Sequence, residues 1–492
     1  MKAATMWKRG GGVCVGRGAC LLLATVWLTG CALTTPPQRD EVLQRALPAT
    51  TVIPPGWHQS GSLPGEVGNN WLASFDDPQL QAIVSEALAH NPDLRQAAST
   101  VLMVAQSINL ASAQMLPQIG GQVGETGTRD YDESKTDTAH QFNVALGWEL
   151  DIWGRLRAQK SAAQANYAAA SLDYAFARQS LAAMTAKSWF AAVQASHLLE
   201  LARESESVYR QLLHVSSVRN SAGKVSEFDV IQAQAALDAS EAALQDAHNN
   251  LAIAKRNLEL LLGRYPAAEI AVALQANALP PPVDGSAPLS LLSRRPDVVA
   301  AEQQVRSAFR SLEADRLALL PDFSFQLEVG RFSNNLIGLL DINPWLGHAE
   351  IGMQIPIYQG GALRAQIAIG DAQQQAAVAN YGSTVLSAFN EVETGLGNEH
   401  YFSRELVYVE RGVASLDKAV QLANDRYQAG ASDMQSVLQL QTRELAIRAD
   451  AIDLRYALLR NRVSLYLALG SSFDSEPMVS PQLLSLLNPE PL

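Results

Sequence analysis

The sequence predicts a mainly α-helical chain, built twice over, that also carries four β-strands. Three observations point there. Proline and glycine punctuate the two halves of the 492 residues at matching intervals. The stretches 155–222 and 224–262 contain neither residue, and both far exceed the length of about 11–12 residues usual for a globular helix. Finally, several runs alternate apolar and polar side chains with a period of two, as a strand with two different environments does.

The repeat is read from its anchors. Asn91-Pro92-Asp93-Leu94 precedes Leu116-Pro117, and Arg295-Pro296-Asp297-Val298 precedes Leu320-Pro321, with 25 residues from Pro to Pro in each half. Arg219 and Gly223 lead to Leu262-Gly263, and Arg426 and Gly430 to Leu469-Gly470, with 40 residues from Gly to Gly in each. Between these anchors ELDIWGRLRAQ aligns with QIPIYQGGALRAQ. Two coincident long spacings indicate an internal duplication.

Residues 1–30 read as a removable leader: Lys2, Lys8, Arg9 and Arg17 precede the short apolar run CLLLATVWLTG. Its end, Leu28-Thr29-Gly30-Cys31, resembles a bacterial lipobox, which implies cleavage before Cys31 and acylation of that residue. Ala32 stands where an Asp would favour inner-membrane retention, so the expected destination is the outer membrane. Losing the four leader cations takes the net charge from −12 to −16. Cys14 and Cys20 leave with the leader, so Cys31 is the sole mature cysteine and no disulfide can form.

Residues 31–77, rich in Pro, Gly and Thr, read as a lipidated extended segment. Residues 78–278 form the first repeat: a helix from Pro78 to about Met115, two strands, and a long helical hairpin turning at Gly223. LPPPVDGSAP at 279–288 is a linker. Residues 289–470 are the second repeat, with a first helix to about Leu319 and a hairpin turning at Gly430. Gly370, Gly382, Gly395, Gly397 and Gly412 leave open whether its long helix is broken midway. Residues 471–492 read as a loosely ordered tail. Val230, Leu237, Leu244, Leu251 and Leu258 recur every seventh position, as do Leu438, Leu445, Ile452, Leu459 and Tyr466, which makes each hairpin a coiled-coil seam.

In the strands, Phe142, Val144, Leu146, Trp148, Leu150 and Ile152 share one face. Phe323, Phe325, Leu327 and Val329 do the same, as do Ala349, Ile351, Met353, Ile355 and Ile357. The opposite faces carry carboxylates, with Glu149, Asp151, Glu328 and Glu350 as candidates for a wet lumen. Strands of this length suit a membrane barrel, for which a tilted strand needs about 9–11 residues. Four strands cannot close one, since the smallest have about eight, and an open edge cannot face lipid. The membrane reading therefore requires several chains to share a barrel.

Composition and motifs exclude other classes. The chain is acidic and has no Lys/Arg run, so nucleic acid is not an expected partner. No apolar run of 18 residues follows the leader. The eight histidines show no metal-ligand spacing, and no phosphate-binding glycine loop occurs. Ser221-Ala-Gly-Lys224 reads as turn structure rather than as a nucleophile. No enzymatic activity, catalytic residue, metal or cofactor is expected, apart from covalent lipid on Cys31.

Taken together, Trp71-Leu-Ala-Ser-Phe75-Asp-Asp-Pro78, Trp148-Glu-Leu-Asp-Ile-Trp153-Gly154-Arg155, Arg294-Arg295-Pro296-Asp297, Pro356-Ile-Tyr-Gln-Gly-Gly361 and Leu465-Tyr-Leu-Ala-Leu-Gly470 resemble the TolC-like outer-membrane efflux proteins, in particular their lipoprotein, NodT-type branch. The resemblance covers nearly the whole mature chain. It implies a homotrimer with a twelve-stranded barrel in outer-membrane lipid and a long α-helical tunnel, closed at its periplasmic tip. A periplasmic adaptor and an inner-membrane pump of the resistance-nodulation-division class would dock at that tip. It assigns adaptor docking to Arg219, Gly223, Ser226, Asp229 and Val230 on one hairpin and to Arg426, Gly430 and Ser432 on the other. Tyr427, Asp433, Val437 and Leu438 are gate candidates, with Asp229 a possible partner for Arg426, Tyr427 and Asp433. Ser436 and Gln439 occupy the usual places of an acidic constriction, so no such ring is expected there. The implied function is a passive exit duct for drugs or other small toxic compounds. A type I secretion duct and a periplasmic coiled-coil structural lipoprotein are the alternatives.

Overall fold

The computed structural model describes residues 33–58, 68–130, 135–273, 279–280, 287–333, 339 and 345–480. Cys31 and the leader lie outside them, as do residues 481–492 and parts of the linker and of both strand-connecting loops. The elements begin with α1 (Arg39–Ala46), a 3-10 turn (Trp71–Phe75), α2 (Pro78–His90) and α3 (Pro92–Ala113). Then come β1 (Gln118–Asp130), β2 (Lys135–Glu149), α4 (Arg155–Ser221) and α5 (Glu227–Leu261). The second series is α6 (Pro288–Arg294), α7 (Pro296–Leu317), β3 (Asp322–Ser333), β4 (Leu346–Gln354), α8 (Ala362–Gln428) and α9 (Met434–Ala468). Three pairs of corresponding helices have equal lengths, 22 residues in α3 and α7, 67 in α4 and α8, and 35 in α5 and α9, whereas α2 has 13 and α6 has 7. No described helix is long and apolar enough to cross a membrane.

Several boundaries differ from the sequence expectation. The helices expected from Pro78 to Met115 and from Leu289 to Leu319 are each two helices, because a residue before proline is driven out of the α region. Asn91 (φ −61°, ψ 127°) and Arg295 (φ −88°, ψ 118°) are the extended residues at the two breaks. Asn91 then caps α3, accepting from Leu94 N at 3.0 Å. The segment expected to be extended contains α1, whose first turn carries Asp40 and Glu41 at the favourable end of the helix dipole.

The long helix of the second half, α8, is unbroken. Its glycines serve close approach. A Cβ on Gly382 would stand 2.5 Å from Ala46 O, and one on Gly395 would stand 3.0 Å from Leu465 Cδ1. Each glycine costs about 1 kcal/mol of helix propensity, a loss that packing offsets. The described part of the tail, residues 471–480, is packed into the helical core rather than loose. Ser471 and Ser472 are fully buried, and Asn70 N donates to Ser472 O at 2.9 Å. Gln179 donates to Ser472 Oγ at 2.8 Å and accepts from Phe473 N at 3.0 Å.

The chain divides into two compact units. One holds the sheet, in strand order β1-β2-β3-β4 with every neighbour antiparallel. The other is helical, with a core that includes Trp71, Phe75, Leu80, Trp189, Phe190, Leu459 and Val463. Trp71 stacks on Tyr466 at 6.0 Å, and Phe75 meets Phe190 at 5.2 Å. Asp77 caps α2 through Leu80 N at 3.0 Å, and its second oxygen accepts from Trp189 Nε1 at 2.8 Å. Arg295, 2% exposed, is held by Asp297 and Glu391, each at 2.6 Å.

Candidate functional site

The register gives the sheet two chemically opposite faces. Val144 pairs with Val329, Trp148 with Phe325, and Leu327 with Ala349. These residues share a face with Ile119, Val123, Ile351 and Met353, which are 56–76% exposed. So extensive an apolar face marks contact with lipid or protein. On the other face Glu328 pairs with His348 across β3–β4, and Gln326 with Glu350. Glu328 accepts from Asn143, and His348 Nε2 lies 3.5 Å from Glu350 Oε2.

Two expected lumen residues contact the start of the helix that follows β2. Glu149, the last residue of β2, pairs with Arg155 at 2.7 Å. Asp151 stands beyond the strand and is corrected from lumen residue to helix-start ligand. Its carboxylate accepts from Leu156 N and Arg157 N, each at 3.0 Å, and from Arg157 Nε at 3.1 Å. The sequence alternation runs past Glu149 because the same acidic residue type serves a strand face and a helix start equally well.

The strand-to-helix junctions need glycine. Gly154 has φ +87°, and Gly360 and Gly361 have φ +62° and +88°. Beside the first junction, Trp153 Nε1 donates to Pro321 O at 2.7 Å.

At the hairpin turns the two repeats use the same chemistry. Gly223 (φ +69°) and Gly430 (φ +79°) each end a helix in the left-handed region. Lys224 N donates to Arg219 O and Ala431 N to Arg426 O, both at 2.8 Å, so both turns are Schellman motifs. The next helices start on caps. Ser226 and Asp229 form a reciprocal capping box. Asp433 accepts from Ser436 N at 2.7 Å, so Asp433 rather than Ser432 caps α9. The hydrogen bond to Ser436 holds the exposed Asp433 carboxyl below the ordinary range.

Among the described residues Asp229 makes no link to Arg426, Tyr427 or Asp433, and instead accepts from Ser226 N at 3.1 Å. Arg426 is exposed and forms no ion pair among the described residues. The hairpins are joined instead by Arg219. Its guanidinium lies 4.7 Å from the centre of the Tyr427 ring, and Nη1 donates to Gln428 O at 2.8 Å. Tyr427 is 2% exposed and packs with Leu212, Leu237, Met434 and the fully buried Val437, while Leu438 is half-buried. Its hydroxyl lies 3.4 Å from Ser216 Oγ. Val230 is half-buried, whereas its neighbours Phe228 and Ile231 are 64% and 60% exposed. The sequence reading missed this pair. The available signal was two apolar residues off the Val230–Leu237 seam.

A four-stranded sheet with one lipophilic face, joined to very long helical hairpins, defines a class of membrane channel protein. A protein-family model described as outer membrane efflux protein matches residues 83–264 and 287–471, and the chain belongs to that family. The cation efflux system protein CusC of Escherichia coli K12 is 29% identical over 463 residues, spanning 92% of this chain and 98% of CusC. The probable outer membrane lipoprotein SilC of Salmonella typhimurium is 27% identical over 405 residues, 82% of this chain and 88% of SilC. A crystal structure of CusC superposes with a TM-score of 0.79 at 27% identity, covering 90% of this chain and 100% of that one. The chain is thus an outer-membrane efflux protein.

Proposed function

We propose that three copies of this chain form the passive exit duct of a tripartite efflux pump for drugs or other small toxic compounds. The observation that carries this is the open sheet. In one chain β1 and β4 are edges, and unpaired backbone groups cannot face hydrocarbon. Joining β4 of one copy to β1 of the next removes every edge and yields twelve strands, with Glu328, His348 and Glu350 facing water.

The equal helix lengths and the double match of the family model support an internal duplication. Three duplicated chains give six similar hairpins, a number that matches a sixfold adaptor ring. The hairpin turns at Gly223 and Gly430 are the docking ends for the periplasmic adaptor and the inner-membrane resistance-nodulation-division pump, and Phe228 and Ile231 offer apolar contact there. A lipid on Cys31 is supported by the path of the chain just after it. Thr34 N and Oγ1 donate to Glu313 Oε1 at 2.7 and 2.6 Å, and Arg310 donates to Thr34 O at 2.8 Å. Leu33 Cδ2 lies 3.1 Å from where a Cβ on Gly154 would be, so Leu33 packs beside a strand–helix junction. Two acyl chains hold a protein stably in a bilayer, whereas one is marginal.

Planar-bilayer recording of the purified protein tests the channel reading. Discrete conductance steps are expected, and electrically silent, fully folded protein would exclude it. Mass spectrometry of the mature N-terminus tests the lipid, with an unmodified Cys31 as the contrary result.

A further inference from the structure

The helical unit contains a second feature, remote from the hairpin turns. A cavity of about 560 Å³ opens among α4, α8 and α9, a size that suits a small organic ligand. Two half-buried cations, Lys187 and Arg460, line it. Neither forms an ion pair among the described residues. The Lys187 ammonium has only the Ser464 hydroxyl, at 3.5 Å, and the Arg460 guanidinium donates to Gln194 Oε1.

The nearby acids are already engaged. Glu391, itself on the cavity wall, is bound through Oε2 by Arg295 at 2.6 Å, and Asp453 accepts from Gln194 at 2.6 Å. Burial pushes both cations below their ordinary pKa ranges, and those two acids only partly counter it. Charges withdrawn from water without a partner are costly, so such a pair gains most from an anion that enters the cavity. Phe402 and Leu467 on the wall add apolar surface.

We infer that the cavity holding Lys187 and Arg460 is a binding site for small aromatic carboxylates. The carboxylate lies between the two cations and the ring lies on the apolar wall. The inference stands on the helical unit alone and goes beyond the channel reading.

The test uses the full-length protein in detergent and calorimetric titration with 2-naphthoate, neutral 2-naphthol and 2-naphthylmethylammonium. Naphthoate should bind at least tenfold more tightly than either analogue. Lys187→Gln combined with Arg460→Gln should weaken naphthoate at least tenfold and leave naphthol unchanged. Equal binding of the three probes by the natural protein, or no binding of naphthoate, overturns the inference, and this comparison needs no variant to fold. So does naphthoate binding by a folded double variant at natural affinity. Bilayer recording of the same preparation keeps the outcome separate from that of the channel reading.

Discussion

In the proposed duct, replacing Arg219 by methionine should loosen the contact between the two hairpin tips. The change keeps an unbranched stem of similar length and removes the charge. Two interactions are lost. The first is the cation–π contact at 4.7 Å with the buried Tyr427 ring, for which about 1 kcal/mol is reasonable at a partly solvated site. The second is the hydrogen bond to Gln428 O at 2.8 Å, about 1.5 kcal/mol for a charged donor. Arg219 is only half-buried, so solvent screening lowers the total to about 1.5–2 kcal/mol per chain. At about 1.4 kcal/mol per tenfold, the ratio of locked to unlocked hairpin pairs falls by roughly 10–30-fold in each protomer. Planar-bilayer conductance should rise, and cells should become sensitive to vancomycin, which is too large for a closed tip. If conductance and vancomycin sensitivity both match the natural protein at equal expression, the Arg219–Tyr427 link is not part of the gate. Closure would then rest on apolar contacts around Val437 and Leu438.

Three further perturbations test the packing account. Arg295→Ala leaves Asp297, 20% exposed, and Glu391, 51% exposed, without the cation that joins them; since water reaches both acids, thermal unfolding should show a loss of about 1–3 kcal/mol, below that for a fully buried pair. Gly382→Leu should destabilise by at least about 1–3 kcal/mol, the cost of overpacking, because even a Cβ there meets Ala46 O; an unchanged melting temperature would refute the close-approach role. Glu259, 2% exposed, accepts from Ala268 N at 2.7 Å and Ile270 N at 2.9 Å. Burial pushes its carboxyl up, but these N–H groups, with Glu269 N and Arg264, outweigh burial and hold it below the ordinary range. Its stabilisation is therefore present above the ordinary carboxyl pKa of about 4.3 and is lost as pH falls through the lower folded value. Glu259→Gln should melt earlier than the natural protein at pH 7, and the gap should narrow below about pH 4.

The order of elements was legible because Gly223 and Gly430 act locally, through φ, and so mark the same turns in any context. Pro92 and Pro296 read as anchors of the repeat, and that reading missed the breaks they impose at Asn91 and Arg295. The faces of the sheet were legible, like the turns, since a period of two needs no knowledge of the partner strand. Continuity of α8 was not. Gly382 and Gly395 read as breakers until their neighbours Ala46 and Leu465 are known. The polar contact at the tips was also hidden. Tyr427 was singled out as a gate candidate, but Arg219, its partner, lies some 200 positions earlier in the other hairpin. Asp433 and Asp229 looked like free charges because capping and gating use the same side chains.

The central claim is that β4 of one chain pairs with β1 of the next. The three cysteines of the sequence, Cys14, Cys20 and Cys31, all lie outside the strands, so engineered pairs are read against the unsubstituted protein as background. Cysteines placed at Ile119, Gly121 or Val123 on β1, combined with Gly347, Ala349 or Ile351 on β4, should include pairs that oxidise between chains. Bridging requires Cα atoms within about 4.4–6.8 Å. On a non-reducing gel the positive pairs should give bands up to three chains and no higher. Val144→Cys with Val329→Cys, paired within one chain, is the control for oxidation. A positive control with no interchain bridge at any β1–β4 combination would contradict the shared barrel.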